Sequence, residues 1–336
     1  MTPLLDVRDL HVTYRSGSGE VPAVRGVDLS LDPGASLGLA GESGSGKSTA
    51  ALALLRLLPA GTRTRGRVLL EGEDVLTMRW GRLRAVRWAG AAIVFQGAMH
   101  ALNPVRRVGD QIAEPLLVHR TVPARRAPAR VAELLEQVGL PASRARDHPH
   151  QLSGGQRQRV MIAMALACEP RLVVADEATT ALDVMIQAQI LDLLRRLVAE
   201  RGIGMLMISH DLGVLADTCD RLAVMYAGRI VEEGPARKVV DEPAHPYAAA
   251  LGAAFPRVGD PASRLAPRGL PGDPPDPAAP PPGCVFRPRC PVAETMCATV
   301  DPPLLPVEPR ESGGPPRRAA CVHAGPARPT TGEGVR

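Results

Sequence analysis

The chain has 336 residues, 45% of them hydrophobic, which leaves room for a large core and excludes a chain that is disordered throughout. Net charge is +5, but all but two of the 40 basic residues are Arg (the exceptions are Lys47 and Lys238) and aromatics are only 2%, so the basic balance reads as coding bias and not as a base-stacking nucleic-acid surface. The opening residues alternate charged with apolar side chains and hold no signal-peptide core, and the longest apolar runs, such as 160–168, fall short of the roughly 18–20 residues of a membrane span. The expectation is a soluble, cytoplasmic chain, where structural disulfides are rare.

In chain order, residues 4–14 and 27–31 read as short strands separated by the turn-forming RSGSGE. SLGLAG, 36–41, reads as a buried strand entering a glycine-rich loop, followed by a helix from Lys47 to about Leu58. RVLLEGEDV and AAIVFQ (91–96) are further strands. Apolar residues then recur at helical spacing in 108–118 and 130–138, so 97–168 is a mostly helical insertion. RLVVAD (171–176) is a buried strand, 184–200 a helix, 204–209 a strand and 221–234 a hairpin. Strands alternating with helices predict an α/β fold with a mainly parallel sheet. Beyond about 235 the composition shifts towards Pro, Gly, Ala and Arg, and 270–283 is extended, polyproline-like material.

Two motifs carry phosphate chemistry. GESGSGKST matches G-x-x-x-x-G-K-[ST] at every fixed position, between a strand and a helix. Gly41, Ser43, Gly44, Ser45, Gly46, Lys47, Ser48 and Thr49 are therefore candidate phosphate-binding residues. Backbone N–H groups and a helix N-terminus favour the anion, Lys47 reaches the β- and γ-phosphates, and the Ser48 hydroxyl suits Mg²⁺. In RLVVADEATTALD, an apolar strand ends in Asp176, which suits the Mg²⁺ ion, and Glu177, placed to polarise an attacking water.

A third motif, LSGGQ (Leu152–Gln156), offers a second anion site at a helix start through Ser153, Gly154, Gly155 and Gln156. In this order the three motifs resemble those of ABC transporter ATP-binding subunits, and the resemblance covers essentially the whole chain. It implies a P-loop NTPase of ABC type, α/β, with an antiparallel β subdomain, a helical subdomain and a small irregular C-terminal extension. The ATPase domain then spans 1–235, with the helical subdomain at about 97–168, and the extension spans 236–336. By the same resemblance, LSGGQ completes the ATP site of a partner subunit. Gln96 corresponds to the Q-loop residue that touches Mg²⁺ and the attacking water, Asp183 to the D-loop, His210 to the switch histidine on the γ-phosphate, and Tyr14 to the aromatic that stacks on adenine. Glu177, His210, Gln96 and Lys47 are the implied catalytic set.

FQGAMHALNP, VMYAGRIVEEG and HPYAAALGAAFP are similar to segments of the oligopeptide/dipeptide importers, with Gly97, Ala98 and Ala178 departing from that family's usual residues. The implied role is an ATP-hydrolysing subunit, on the cytoplasmic face of the membrane, that energises peptide import. Its implied partners are a homologous second ATPase in a heterodimer, two permease subunits and an extracytoplasmic solute-binding protein. The alternatives are nickel or glutathione import, a soluble ABC ATPase acting on nucleic acid, and a non-catalytic regulatory subunit. The intact Lys47, Asp176, Glu177 and His210 speak against the last, and a single cassette without heptads against the nucleic-acid role.

Six cysteines remain. Cys168 and Cys219 read as ordinary half-buried thiols. Cys284, Cys290, Cys297 and Cys321 are spaced C-x5-C-x6-C-x23-C, which fits neither a zinc ribbon nor a ferredoxin run, so spacing alone leaves a metal site, unpaired thiols and disulfides open. GCVFRPRCPVAETMC is similar to the tail of peptide-importer ATPases, and that resemblance implies a [4Fe–4S] cluster on the four thiolates, with Zn²⁺ the alternative.

Overall fold

A computed structural model describes residues 2–17, 19–95, 101–179, 182–254, 269–307 and 316–324. The chain folds into two compact units, each assembled from separate stretches: Met1–Val12, Gly26–Leu37 and Ser48–Ser209 in the first, Thr13–Arg25, Gly38–Lys47 and His210–Arg336 in the second.

In the first unit, strands β1 (Leu5–Ser16), β2 (Gly19–Leu31), β4 (Arg63–Leu70) and β5 (Glu73–Asp74) form a sheet in the order β2-β1-β4-β5, with β1 and β2 running on into the second unit. Strands β6 (Ala91–Val94), β7 (Leu172–Asp176) and β8 (Gly204–Ser209) form a parallel ladder. All five residues of β7, LVVAD, are buried, as expected of a parallel strand covered on both faces. The start of β3 (Ser36–Ala40) lies beside β8, where the Met205 N–H donates to the Ala35 carbonyl.

Helices α1 (Lys47–Leu54), α2 (Trp80–Ala89), α3 (Val108–Val118), α4 (Ala127–Gln137), α5 (Gly154–Leu166) and α6 (Val184–Arg201) complete this unit. Helices α3, α4 and α5 pack on one another through Ile112, Leu116, Leu134, Leu135 and Val160, all fully buried. The helical-period reading of 108–118 coincides with α3. Helix α1 ends at Leu54, earlier than the expected Leu58, because Arg56 turns into the left-handed region and the Leu57 N–H bonds back to Leu52. Helix α2 was not expected, because its exposed, Arg-rich face hides the period.

In the second unit, β9 (Arg221–Tyr226) and β10 (Arg229–Pro235) form the expected hairpin. Its two-residue turn places both Ala227 and Gly228 at positive φ, the pattern of a tight hairpin loop. Helices α7 (Leu212–Thr218), α8 (Ala236–Asp241) and α9 (Pro246–Ala254) lie before and after it. The C-terminal residues are irregular except for two short strands, β11 (Leu305–Pro306) and β12 (Arg318–Ala319), giving the order β11-β12-β10-β9-β3. Strand β12 pairs antiparallel with β10, Glu232 opposite Ala319 and Glu233 opposite Arg318.

Charge holds that edge together. The fully buried Glu232 carboxylate accepts the N–H groups of Ala244 (3.0 Å) and His245 (2.8 Å) and meets the Arg317 guanidinium at 3.3 Å. Arg318 donates to Glu233 at 2.8 Å. A buried carboxylate is tolerated only when hydrogen-bonded and paired, and here both conditions are met within one unit.

All six cysteines are free. Burial pushes the thiol pKa of Cys168 up to about 11 and that of Cys219 up to about 12. Since the thiolate is the reactive species, alkylation of the folded chain at about pH 8 should leave Cys168 and Cys219 unmodified, while denatured chain reacts at both. Peptide mapping by mass spectrometry reads the difference, and native labelling at either position would contradict the burial.

Candidate functional site

The phosphate loop follows β3 directly. Its first seven residues, 41–47, belong to the second unit, and Ser48 and Thr49 to the first. The loop is seated hard on neighbouring backbone. A Cβ on Gly41 would lie 2.2 Å from the Met225 carbonyl oxygen, and one on Gly46, at φ +101°, would lie 2.3 Å from that of Ala23. Both glycines are thus required by close approach, and Gly46 by its dihedral as well. The Ser45 carbonyl accepts the Gly228 N–H at 2.9 Å, tying the loop to the β9–β10 turn. Lys47, only 5% exposed, curls back over the loop and donates to the carbonyls of Gly41 (2.8 Å) and Glu42 (2.7 Å).

In the first unit, the Ser48 hydroxyl donates to Asp176 Oδ1 at 3.1 Å across 128 residues of sequence. A hydroxyl and a buried carboxylate at this distance form a hard-oxygen pair of the kind Mg²⁺ takes. The next residue, Glu177, is half-buried and sits at φ +45°, with its N–H bonded to the Ile208 carbonyl at 3.0 Å. A non-glycine residue held in the left-handed region costs roughly 1–2 kcal/mol, so the strand-to-loop step after β7 is conformationally fixed. Sequence reasoning missed this constraint.

The signature segment starts α5. Ser153 is its N-cap: the hydroxyl accepts the Gln156 N–H at 3.3 Å, while Gln156 Oε1 accepts the Ser153 N–H at 3.0 Å. This is a capping box of the S-x-x-Q form. Gly155 is buried against Ile186, whose Cγ2 would lie 2.5 Å from a Cβ placed there. Asp183 caps α6, its Oδ1 accepting the Ile186 N–H at 3.0 Å. The signature and Asp183 are therefore brought together within the first unit.

Of the remaining expected residues, His210 is exposed immediately after β8, and Tyr14 is half-buried in β1. Both belong to the second unit. Gln96 lies outside the described residues, as do Gly97 and Ala98.

Cys284, Cys290, Cys297 and Cys321 line a single pocket together with His245, Phe286 and His323. The loop is fixed by the Cys284 N–H donating to the Cys297 carbonyl at 2.9 Å. Gly283, at φ +70°, allows the approach, since a Cβ there would lie 2.4 Å from the same carbonyl oxygen. Burial raises the pKa of Cys284, Cys290 and Cys321, against which backbone N–H groups of Phe286, Val292 and His323 act on the respective sulfurs. Each of those donors stands two residues after its cysteine, and donors aimed at sulfur favour the thiolate. Four soft sulfurs with such donors fit a thiolate-ligated group. Among the described residues, no group of three or more His, Cys, Asp and Glu is arranged to hold a single metal ion.

Above this pocket sits a feature that the motifs did not announce. Tyr226, Tyr247 and Phe286 cluster with ring centroids 4.5–5.4 Å apart, so half of the chain's three tyrosines and three phenylalanines gather in one place. Arg289 passes beside them to Glu42 of the phosphate loop, and that ion pair holds the Arg289 pKa well above its ordinary value. The only sequence trace is that Arg289 directly precedes Cys290.

Comparison with known proteins agrees with this geometry. Residues 24–180 match the family profile described as ABC transporter, and residues 231–297 match the oligopeptide/dipeptide transporter C-terminal region. A protein of Brucella abortus (strain 2308) named as a peptide import ATP-binding protein is 47% identical over 94% of this chain and 95% of its own length. One from Brucella ovis, similarly named, is 46% identical over 91% of this chain and 94% of its own. Among solved structures, the dimeric ATP-binding cassette MJ0796 bound to ADP and Pi is similar with a TM-score of 0.62 and 28% identity, covering 69% of this chain and 99% of that one. The protein cbiO1 of Clostridium perfringens, part of an ABC transporter complex, gives a TM-score of 0.61 and 29% identity, covering 72% of this chain and 92% of that one.

The fold and the ordered motifs define an ABC-type ATPase. Identity over nearly the full length then settles the branch: the chain belongs to the family of ABC transporter ATP-binding proteins that carry the oligopeptide/dipeptide transporter C-terminal region.

The Gly155–Ile186 contact generates a test. Gly155→Ala should lower stability by about 1–3 kcal/mol through overpacking, and Ile186→Ala in the same chain should recover part of it. Thermal unfolding of the single and double variants measures the coupling, and strictly additive losses would contradict it.

Proposed function

We propose that the chain is the ATP-hydrolysing subunit of a peptide importer. The observation that carries this reading is the match at 231–297, beyond the residues matched as ABC transporter, to the oligopeptide/dipeptide C-terminal region, joined to a cassette whose Ser48 and Asp176 are paired. In this reading 1–235 is the ATPase domain, with the helical subdomain at about 97–168, and 236–336 is the transporter-type extension. Lys47 and the loop N–H groups bind the phosphates, Ser48, Asp176 and Gln96 hold Mg²⁺, Glu177 polarises the attacking water, His210 holds the γ-phosphate, and Tyr14 stacks on adenine. Ser153, Gly154, Gly155, Gln156 and Asp183 complete the ATP site of a second, homologous subunit. The step is positioning and electrostatics, as in phosphoryl transfer generally.

The subunit acts at the cytoplasmic face of the membrane, held there by two permease subunits that a solute-binding protein supplies. No helix among the described residues is long and apolar enough to cross a membrane, so attachment through the permeases is consistent with this chain. Glu177→Gln should keep ATP binding but lose on the order of 10²–10⁴ in hydrolysis rate. Near-normal turnover would remove Glu177 from the role of general base. The transported solute is read by identifying the ligand of the co-purified binding protein, where nickel or glutathione in place of a peptide would redirect the assignment.

The extension is read as a [4Fe–4S] site on Cys284, Cys290, Cys297 and Cys321. Support comes from the shared pocket and the N–H groups aimed at sulfur. The group would serve as a crosslink for a segment too rich in proline to build its own core. Chain purified without oxygen should be brown, with absorption at about 400 nm that Cys290→Ser abolishes. A colourless preparation with stoichiometric zinc would establish the alternative.

A further inference from the structure

Glu42 occupies a position that the phosphate-loop motif leaves free, yet three groups hold it. Arg289 donates to both carboxylate oxygens, Nη1 to Oε2 at 2.7 Å and Nη2 to Oε1 at 3.0 Å. The Glu42 N–H donates to the Tyr247 hydroxyl at 2.8 Å, and its carbonyl accepts from Lys47 Nζ at 2.7 Å. Arg289 is itself fixed: its side chain is 4% exposed, and Nε donates to the Pro271 carbonyl at 2.8 Å. Both Tyr247 and Arg289 come from the C-terminal extension, and all of these residues lie in one unit.

We propose that Arg289 is a positioning residue for ATP, which by gripping Glu42 fixes the phosphate-loop backbone on which Lys47 acts, so that the extension sets the nucleotide affinity of the cassette. A bidentate guanidinium–carboxylate pair fixes orientation as well as distance, which a lysine cannot do. The loop needs such a brace, because Gly44 and Gly46 both sit at positive φ and a glycine-rich segment otherwise has several backbone conformations open to it. Arg289 also neutralises a carboxylate that, unpaired, would repel the triphosphate. Preorganising the loop strengthens binding by reducing what must be ordered when ATP arrives. The contribution falls on nucleotide affinity, since Arg289 acts through the Glu42 carboxylate on the loop that holds Lys47.

This inference rests on residues 41–49 being the ATP loop, and the test separates the two. The readouts, on the full-length chain, are the KM and kcat of ATP hydrolysis and the Kd of a fluorescent ATP analogue. Lys47→Ala should abolish nucleotide binding; if it does not, the loop assignment fails and the brace with it. Given that loss, Arg289→Met should raise KM and Kd on the order of 10-fold, with kcat changed less than about threefold. Arg289→Lys should fall between the two, and Glu42→Gln/Arg289→Met should bind ATP no worse than Arg289→Met, because the unpaired charge is gone. Arg318→Met, which removes an ion pair of the extension to Glu233 away from the loop, should leave KM unchanged. Should Arg289→Met not fold, Glu42→Gln decides alone, with KM expected to rise severalfold. Unchanged affinity in the informative variant, or an equal rise in Arg318→Met, would overturn the proposal.

Discussion

The phosphate loop has no room of its own. Its first glycine lies against the Met225 carbonyl and its third against that of Ala23, both closer than a methyl group would permit. Everything in the second unit is arranged around this seat. Strand β3 delivers the loop, the β9–β10 turn donates a hydrogen bond to the Ser45 carbonyl, and the residues after β10 fold back to reach Glu42. A loop that binds an anion through its backbone cannot be shaped by its own side chains, so its geometry has to be imposed by its neighbours.

The C-terminal extension is one of those neighbours, and past α9 its described residues bury only small apolar clusters such as Ala319, Cys321 and Ala324. Its described residues are held by a buried carboxylate at Glu232, two arginines at 317 and 318, the aromatic cluster of Tyr226, Tyr247 and Phe286, and four thiols around one pocket. Each of these is a directional contact. Proline-rich chain offers few apolar side chains to bury, so specific polar pairing, sulfur chemistry and a few aromatics take over that role. The order of the chain matters here: Phe286, Arg289 and Cys290 lie within five residues, so one short segment touches the aromatic cluster, the phosphate loop and the thiol pocket.

Much of this was legible in the sequence, and the limits have physical causes. LVVAD could be read as a buried strand because burial on both faces makes it continuously apolar, and 108–118 as a helix because one face alone is apolar. GESGSGKST fixed the loop because backbone anion binding demands those residue types at that spacing. Helix α2 escaped because its arginines mask the period, and helices α7 to α9 because they are short. The positive φ of Glu177 and the Arg289–Glu42 pair could not be read at all. The first depends on what β8 presents to β7, and the second joins residues 247 positions apart, for which a single sequence carries no periodic signal. Ser153 could be placed at a helix start from its residue type, and the structure adds the reciprocal bond from Gln156 that completes the S-x-x-Q box.

The two-residue strands β11 and β12 have a meaning beyond their size. Strand β10 carries a buried run from Ile230 to Gly234, and without β12 its outer edge would present unpaired N–H and C=O groups. Such an edge is a template for pairing with another chain. Strand β12 covers it for only two residues, and β11, which becomes the new border, is equally short and contains Pro306, which has no N–H to offer. The tail thus works as an edge guard: it closes the sheet with a strand too brief and too poor in donors to recruit a further one, which keeps this edge from pairing with a copy of the chain.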